Sequence, residues 1–155
     1  MIKRILILFA IAQLSMMGYS QTPKWAEKAK KAVFSVVTYD TNDKILNTGN
    51  GFFISEKGVA ISDYALFKNA QRAVIITSEG EKMPVKAILG ANDMYDVVKF
   101  SVDITSKKVA NLTLSETPMT EGSKLWLLPY STQKVRSLTS GNVNSVDKIS
   151  DYAYY

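Results

Sequence analysis

The stretch TGNGFFISEKGVAISDYALF, residues 48–67, decides the fold. Two runs of apolar and aromatic residues flank a short turn at 56–58, which predicts two strands joined by that turn. Two glycines lie inside the first strand, where glycine indicates a bulge or a close approach of another part of the backbone. The second strand ends in the small polar residues Ser62 and Asp63, and Ala65 follows where the chain enters a turn of helix. Enzymes can place a reactive group at such a strand end, but alanine carries none.

The same kind of pattern continues on both sides of this stretch. Short runs rich in β-branched and aromatic residues alternate with turns, and together they predict six strands. The runs are VFSVVTYD (33–40), ILNTGNGFFIS (45–55), VAIS (59–62), AVIITS (73–78), MPVKAILGA (83–91) and DVVKFSVD (96–103). Strands at this spacing, without long helices between them, indicate an all-β antiparallel sandwich or barrel. Residues 33–103 are enough for one small barrel.

The segments outside this range are organised differently. A short helix is predicted for 21–32, because Thr22 can cap it, Pro23 suits its first turn, and Trp25, Ala29 and Ala32 share one face. Residues 104–120 are polar and irregular, which favours a linker. Residues 121–155 contain two further strand patterns, KLWLLPY and VRSLTSGNVNSVD, which begin a second β unit.

The composition excludes several kinds of chemistry. The 155 residues are 46% hydrophobic and 21% charged, as in a globular protein, and they include no histidine and no cysteine. Neither Ser-His-Asp nor Cys-His catalysis is possible without these residues, and no ordinary zinc site can form. The oxygen-rich segments at 40–44 and 91–96 lack the glycine and spacing of an EF-hand, and hairpin turns account for them better. We predict no metal site and no cofactor.

The N-terminal twenty residues are typical of a secretory signal peptide. Lys3 and Arg4 precede the apolar run ILILFAIAQLSMMG, and Gly18 and Ser20 provide small residues before a cut. We therefore predict cleavage after Ser20, a secreted or periplasmic location and no stable membrane anchor afterwards. An uncleaved N-terminal anchor is the alternative, although the apolar run is shorter than the ~20 residues that usually span a bilayer.

The charge of the chain gives little support to nucleic-acid binding. The net charge is +5, and loss of the two basic residues of the signal peptide lowers it to +3. The lysines of the first helix form a small group without the aromatic residues or motif of a nucleic-acid interface, so a solvated helix face explains them better. We predict no nucleic-acid partner.

The order of the strand motifs resembles that of a known family. TGNGFFIS (48–55), KGVAISDYALF (57–67), NDMYDVVKFSV (92–102) and EGSKLWLLPYSTQKVRSLTSGNVNSV (121–146) follow one another as in the trypsin-like peptidases of the bacterial HtrA/Deg type. The resemblance implies a chymotrypsin-like Greek-key antiparallel β-barrel. It also implies that the first barrel is complete in 33–103 and that the second is only begun in 121–155.

The resemblance assigns a role to two positions. Asp96 falls on the family's catalytic aspartate position, and Ala65 falls on its histidine position. The family's serine lies beyond the end of this sequence, and no G-N-S-G-G motif occurs earlier. The resemblance therefore implies no catalytic residue. Lys68 could replace the base, although an exposed lysine is the simpler explanation, and Asp96 either still binds backbone near residue 65 or only starts a strand beside a polar turn.

These observations lead to one main functional hypothesis and two alternatives. The main hypothesis is an inactive peptidase homologue, or pseudopeptidase, that is no enzyme and acts as a binding or interaction module for a protein or peptide partner. The chain could instead be the N-terminal fragment of a longer secreted protein of this family. It could also be an enzyme of another class, although no sequence motif supports that alternative. An incomplete second barrel would leave open edges near Trp126 and Leu127, which allows self-association.

Overall fold

A computed structural model describes residues 24–105, 107–128 and 138–146. The predicted signal peptide, residues 1–20, lies outside the described residues. The described chain is all-β apart from one short helix and a 3₁₀ turn at Tyr64–Leu66. The helix is α1 (Lys24–Ala32), and the strands are β1 (Val33–Tyr39), β2 (Ile45–Phe53), β3 (Val59–Asp63), β4 (Arg72–Ile76), β5 (Lys82–Asn92), β6 (Val97–Val102), β7 (Lys124–Leu127) and β8 (Thr139–Asn142).

The first six strands close into an antiparallel barrel. The order around the barrel is β1-β2-β3-β6-β5-β4, and β4 closes it by pairing with β1 from Ser35↔Ile76 to Tyr39↔Arg72. Strands β1, β2 and β3 are joined by short turns, and β4 returns to lie beside β1, which is a Greek-key connection. The structure thus confirms the all-β barrel and the short N-terminal helix, and it decides for a barrel over a sandwich.

The barrel interior is built from alternating positions of the strands. On β6, Val98 and Phe100 are fully buried and Val102 nearly so, while the residues between them face outward. The ring of Phe34 lies 4.7 Å from that of Phe53 and 6.3 Å from that of Phe100, measured between centroids. The three rings fill the centre of the barrel, and the smaller apolar residues pack around them.

Gly51 on β2 is a point where both a core side chain and the neighbouring strand come close to the backbone. A Cβ added there would lie 2.6 Å from the ring of Phe34 and 2.9 Å from the backbone oxygen of Ile61. The close approach expected from the strand glycines is therefore present. The irregularity in the β1–β2 pairing lies elsewhere, between Thr38 and Tyr39.

The helix packs on the barrel through its alanines. Ala26 and Ala32 are fully buried and Ala29 nearly so. Trp25 shares this face by its spacing but lies in the first turn of the helix and is 47% exposed. Its ring makes an edge contact with Trp126 at a centroid distance of 5.6 Å.

The helix of the described chain is nine residues long, so it is too short and too polar to cross a membrane.

The residues after the barrel form a small second sheet. Strands β7 and β8 pair with each other from Lys124↔Asn142 to Leu127↔Thr139, with no further strand beside them in the part of the chain that the structure describes, and all eight residues are exposed. The irregular chain between the barrel and β7 is tied back to the barrel, since Leu112 N–H donates to the Phe53 carbonyl at 2.8 Å.

Candidate functional site

Ala65 lies where the barrel strand β3 ends. The strand runs to Asp63, which pairs with Val97 at the start of β6, and the chain then enters the 3₁₀ turn Tyr64–Leu66. Because β3 and β6 are antiparallel neighbours, the residues just after β3 face the residues just before β6. The fold therefore brings residue 65 next to residue 96, which is 31 positions away in the sequence.

Asp96 holds the turn at Ala65 through two hydrogen bonds. Its side-chain Oδ1 accepts from the backbone N–H of Ala65 at 2.6 Å, and its backbone carbonyl accepts from the N–H of Tyr64 at 3.1 Å. Of the two alternatives for Asp96, the structure contains the hydrogen bond to backbone near residue 65. A carboxylate that accepts from a backbone N–H makes a charge-assisted bond, which is shorter and stronger than a neutral one.

The backbone of Asp96 has an uncommon conformation that serves this contact. Its φ is +50°, in the left-handed region that most side chains avoid but aspartate and asparagine enter more readily. Non-glycine residues in such conformations persist where the surroundings fix them, and they are concentrated at functional sites. Here the two hydrogen bonds to residues 64 and 65 hold the backbone of Asp96 in this conformation.

Strand β2 supports the turn from the other side. The side-chain amide of Asn47 donates to the carbonyl of Leu66 at 3.3 Å, and Gly49 leaves room for the Leu66 side chain. Sequence reasoning missed Asn47 as part of this site. The signal that could have pointed to it is the glycine two residues later, since a strand glycine predicts that another segment comes close.

Among the described residues, the lysine and the serine nearest to Ala65 in the sequence are engaged elsewhere and form no nucleophile–base pair. Lys68 Nζ lies 3.6 Å from Asp93, and its side chain is more than half exposed, as in an ordinary surface ion pair. The nearby hydroxyl of Ser62 donates to the Asn50 carbonyl at 2.6 Å and belongs to a buried residue. The site holds an exposed carboxylate beside an alanine, which can bind a donor or a cation but cannot exchange a proton as imidazole does.

The oxygen-rich segments stabilise turns. Asp40 Oδ1 accepts from the N–H groups of Asn42 and Lys44 at 2.8 and 2.9 Å, and Asn92 accepts from the N–H of Tyr95 at 3.1 Å. Side chains that bond backbone two to four residues on are typical of turns. Within residues 24–105, 107–128 and 138–146, no group of three or more acidic side chains is arranged to hold a metal ion.

Comparison with known proteins adds no family. No protein-family model matches this chain, and no curated protein is significantly similar to it. The likeness to trypsin-like peptidases therefore depends on the order of the motifs and stays a hypothesis.

Replacing Asp96 with alanine is expected to lower the free energy of unfolding by about 1–2 kcal/mol, through loss of the bond to Ala65 and the strain of alanine at positive φ. Asp96→Asn keeps an acceptor oxygen and tolerates this backbone but makes only a neutral hydrogen bond, so its loss should be smaller, about 0.5–1 kcal/mol. Urea titration followed by circular dichroism measures both. Equal losses in the two variants would show that the charge of Asp96, rather than its hydrogen bond, supports the turn.

Proposed function

We propose that this protein is an exported member of the trypsin-like barrel family that has lost peptidase chemistry and acts as a binding module. The observation that carries the proposal is the 2.6 Å hydrogen bond from the backbone of Ala65 to the carboxylate of Asp96. In a trypsin-like site, a buried aspartate orients a histidine that takes and returns the serine proton. Here an aspartate reaches the equivalent strand end, and the residue it meets is an alanine.

The closed six-strand Greek-key barrel supports the same proposal, because it is the kind of fold that the family resemblance implies. The absence of histidine from the sequence supports the loss of chemistry, since no second imidazole is present to take the place of the missing one. A methyl group cannot accept the proton of a serine, and removal of this histidine alone costs on the order of a million-fold in turnover in a serine peptidase.

Without peptidase chemistry, a domain of this fold can still act by binding a partner. The fold positions exposed apolar side chains around the strand end, including Met94 and Val97 beside Asp96. A contact surface of this kind requires a stable scaffold but no reactive group.

The purified full chain is expected to show no labelling by a serine-directed fluorophosphonate probe and no cleavage of unfolded casein. Trypsin-like peptidase with the same probe serves as the positive control. Probe bound to any serine of the folded chain, located by mass spectrometry, would overturn the loss of activity.

The Ala65→His variant tests whether residues 65 and 96 keep the geometry of the family. The introduced imidazole should have a pKa about half a unit to one unit above its ordinary value of about 6.5, because a nearby carboxylate favours the charged ring. The chain has no histidine of its own, so the ring signals in an NMR titration belong to this group alone. The double variant Ala65→His/Asp96→Asn is the control and should titrate near 6.5. An equal pKa in the two proteins would contradict the family assignment of these positions.

A further inference from the structure

Strand β5 has a long edge that its neighbour β4 does not cover. The two strands pair over only three residues, from Val74↔Pro84 to Ile76↔Lys82. Strand β5 continues to Asn92 along β6, whereas β4 begins only at Arg72. Among the described residues, no strand lies against the β4 side of β5 beyond Pro84. An unpaired strand edge is a template for another strand.

A groove of about 240 Å³ lies beside this edge. One wall is formed by the segment that leads into β4, with Phe67, Ala70 and Ala73, and the other by Val85 and Ile88 of β5. Ile88 is 51% exposed, so an apolar side chain that entered the groove would remove it from water.

The wall of the groove is already fixed in position. The ring of Phe67 packs against Phe100 of the core at a centroid distance of 5.0 Å. Arg72 lies 3.6 Å above the ring of Tyr39 and donates to Asp43 at 2.7 Å. The hydrogen bond to Asp43 is the main cause that raises the pKa of Arg72 above its ordinary value. A groove that needs no ordering on binding keeps more of its contact energy as affinity.

Two basic side chains lie at the rim of the groove, and they differ in whether they form an ion pair within the described part of the chain. Arg72 is engaged by Asp43. Lys86 also lines the groove, and no ion pair of Lys86 occurs among the described residues. Lys86 and Ile88 both line the groove, although the pairing of β5 with β6 is irregular at Lys86 and again between Ile88 and Gly90. A partner segment that fits this groove would place an acidic side chain near Lys86 and an apolar one beside Ile88.

We propose that the free edge of β5 and its groove bind one extended peptide segment of a partner, with an apolar side chain in the groove and a carboxylate at Lys86. Main-chain hydrogen bonds to a sheet edge supply affinity in such complexes, and side chains at alternate positions supply the selection. The inference rests on the binding role proposed above and names the class of partner. The groove does not include Ala65. A negative peptide titration would therefore overturn this inference alone, and labelling by the serine probe would overturn only the proposed loss of peptidase activity.

A blocked heptapeptide provides the probe, with four threonines on one face and a valine flanked by two glutamates on the other. This arrangement is symmetric, so it fits either strand direction. The matched control has lysines in place of the glutamates. A second control has proline in place of the central valine, which removes a main-chain donor.

Titration of the ¹⁵N-labelled full chain is expected to shift the amide signals of residues 85–92 and 67–73. The acidic peptide should bind about threefold to fivefold more tightly than the lysine peptide, as for one exposed ion pair. The Lys86→Glu variant should reverse this order. The Lys28→Glu variant, with its charge on α1 and outside the groove, should leave it unchanged.

Three outcomes would overturn the proposal. One is no shift at millimolar acidic peptide while the amide spectrum shows a folded chain. Another is a shift confined to other residues, such as those of β7 and β8. The third is a molecular mass, measured by light scattering, that doubles with concentration in the natural chain but stays monomeric in Leu89→Lys, which places a charge at an exposed position of β5. A second copy of the chain would then occupy the edge.

Discussion

The Phe100→Ala substitution is expected to lower the free energy of unfolding by about 3–5 kcal/mol. Phe100 is fully buried, its ring contacts those of Phe34 and Phe67, and it belongs to β6, which pairs with both β3 and β5. Removing a buried phenylalanine ring loses its transfer free energy and leaves a cavity that rigid neighbours cannot fill. The loss is read from the midpoint and slope of a urea titration of the full chain.

Met94→Ala is the matched control for this loss. Its side chain is 82% exposed, so its truncation should change the free energy of unfolding by no more than about 0.5 kcal/mol. Small domains have only ~5–15 kcal/mol in total, so Phe100→Ala could leave too little folded protein to titrate. Phe100→Leu, with an expected loss of about 1–2 kcal/mol, then replaces it. A loss below about 0.5 kcal/mol in Phe100→Leu would contradict the central position of this ring.

The strands of the barrel could be predicted because each is encoded locally. Val98, Phe100 and Val102 alternate with outward-facing residues, and this period of two identifies β6 without any knowledge of its neighbours. The choice between a sandwich and a barrel could not be predicted in this way. It depends on the pairing of β1 with β4, whose residues are far apart in the sequence and carry no mark of each other.

The candidate site shows the same division between local and long-range information. The strand end at Ala65 could be located from the sequence, and the resemblance placed Asp96 opposite it. Asp96 makes this hydrogen bond with a positive φ. That conformation depends on how the end of β3 and the start of β6 lie against each other, and no residue pattern nearby indicates it. Asn47 was missed for a related reason, because its contact with Leu66 crosses from a strand to a later turn.

Trp25 shares a helical face with Ala29 and Ala32, as its spacing predicts, but its large ring in the first turn of the helix is only partly covered. The spacing of Trp25, Ala29 and Ala32 permits a shared face, but so does that of Ala26, Ala29 and Ala32. The three alanines are the buried members of this face, and their small side chains let the helix lie close to the barrel. The tryptophan is then left at the margin, where it meets Trp126 of the second sheet.

The Gly51→Ala variant is expected to lower the free energy of unfolding by about 1–3 kcal/mol. A single methyl group at this position would come within 2.6 Å of the Phe34 ring and 2.9 Å of the Ile61 carbonyl. The ring is held by Phe53 and Phe100, and the carbonyl belongs to the sheet, so neither can move away without disturbing the barrel. The penalty is therefore one of overpacking, even though alanine is favoured over glycine in a strand.

Gly90→Ala separates overpacking from the general effect of replacing a strand glycine. Gly90 lies on β5, and nothing would be within 4 Å of an added methyl group. Its replacement should be neutral or stabilise the chain by up to about 1 kcal/mol, because alanine reduces the freedom of the unfolded state. Thermal unfolding of the two variants side by side gives the comparison. If Gly51→Ala proves as harmless as Gly90→Ala, then β2 is not packed tightly against Phe34. The turn at Ala65 would then also be held less firmly, because β2 supports that turn through Asn47.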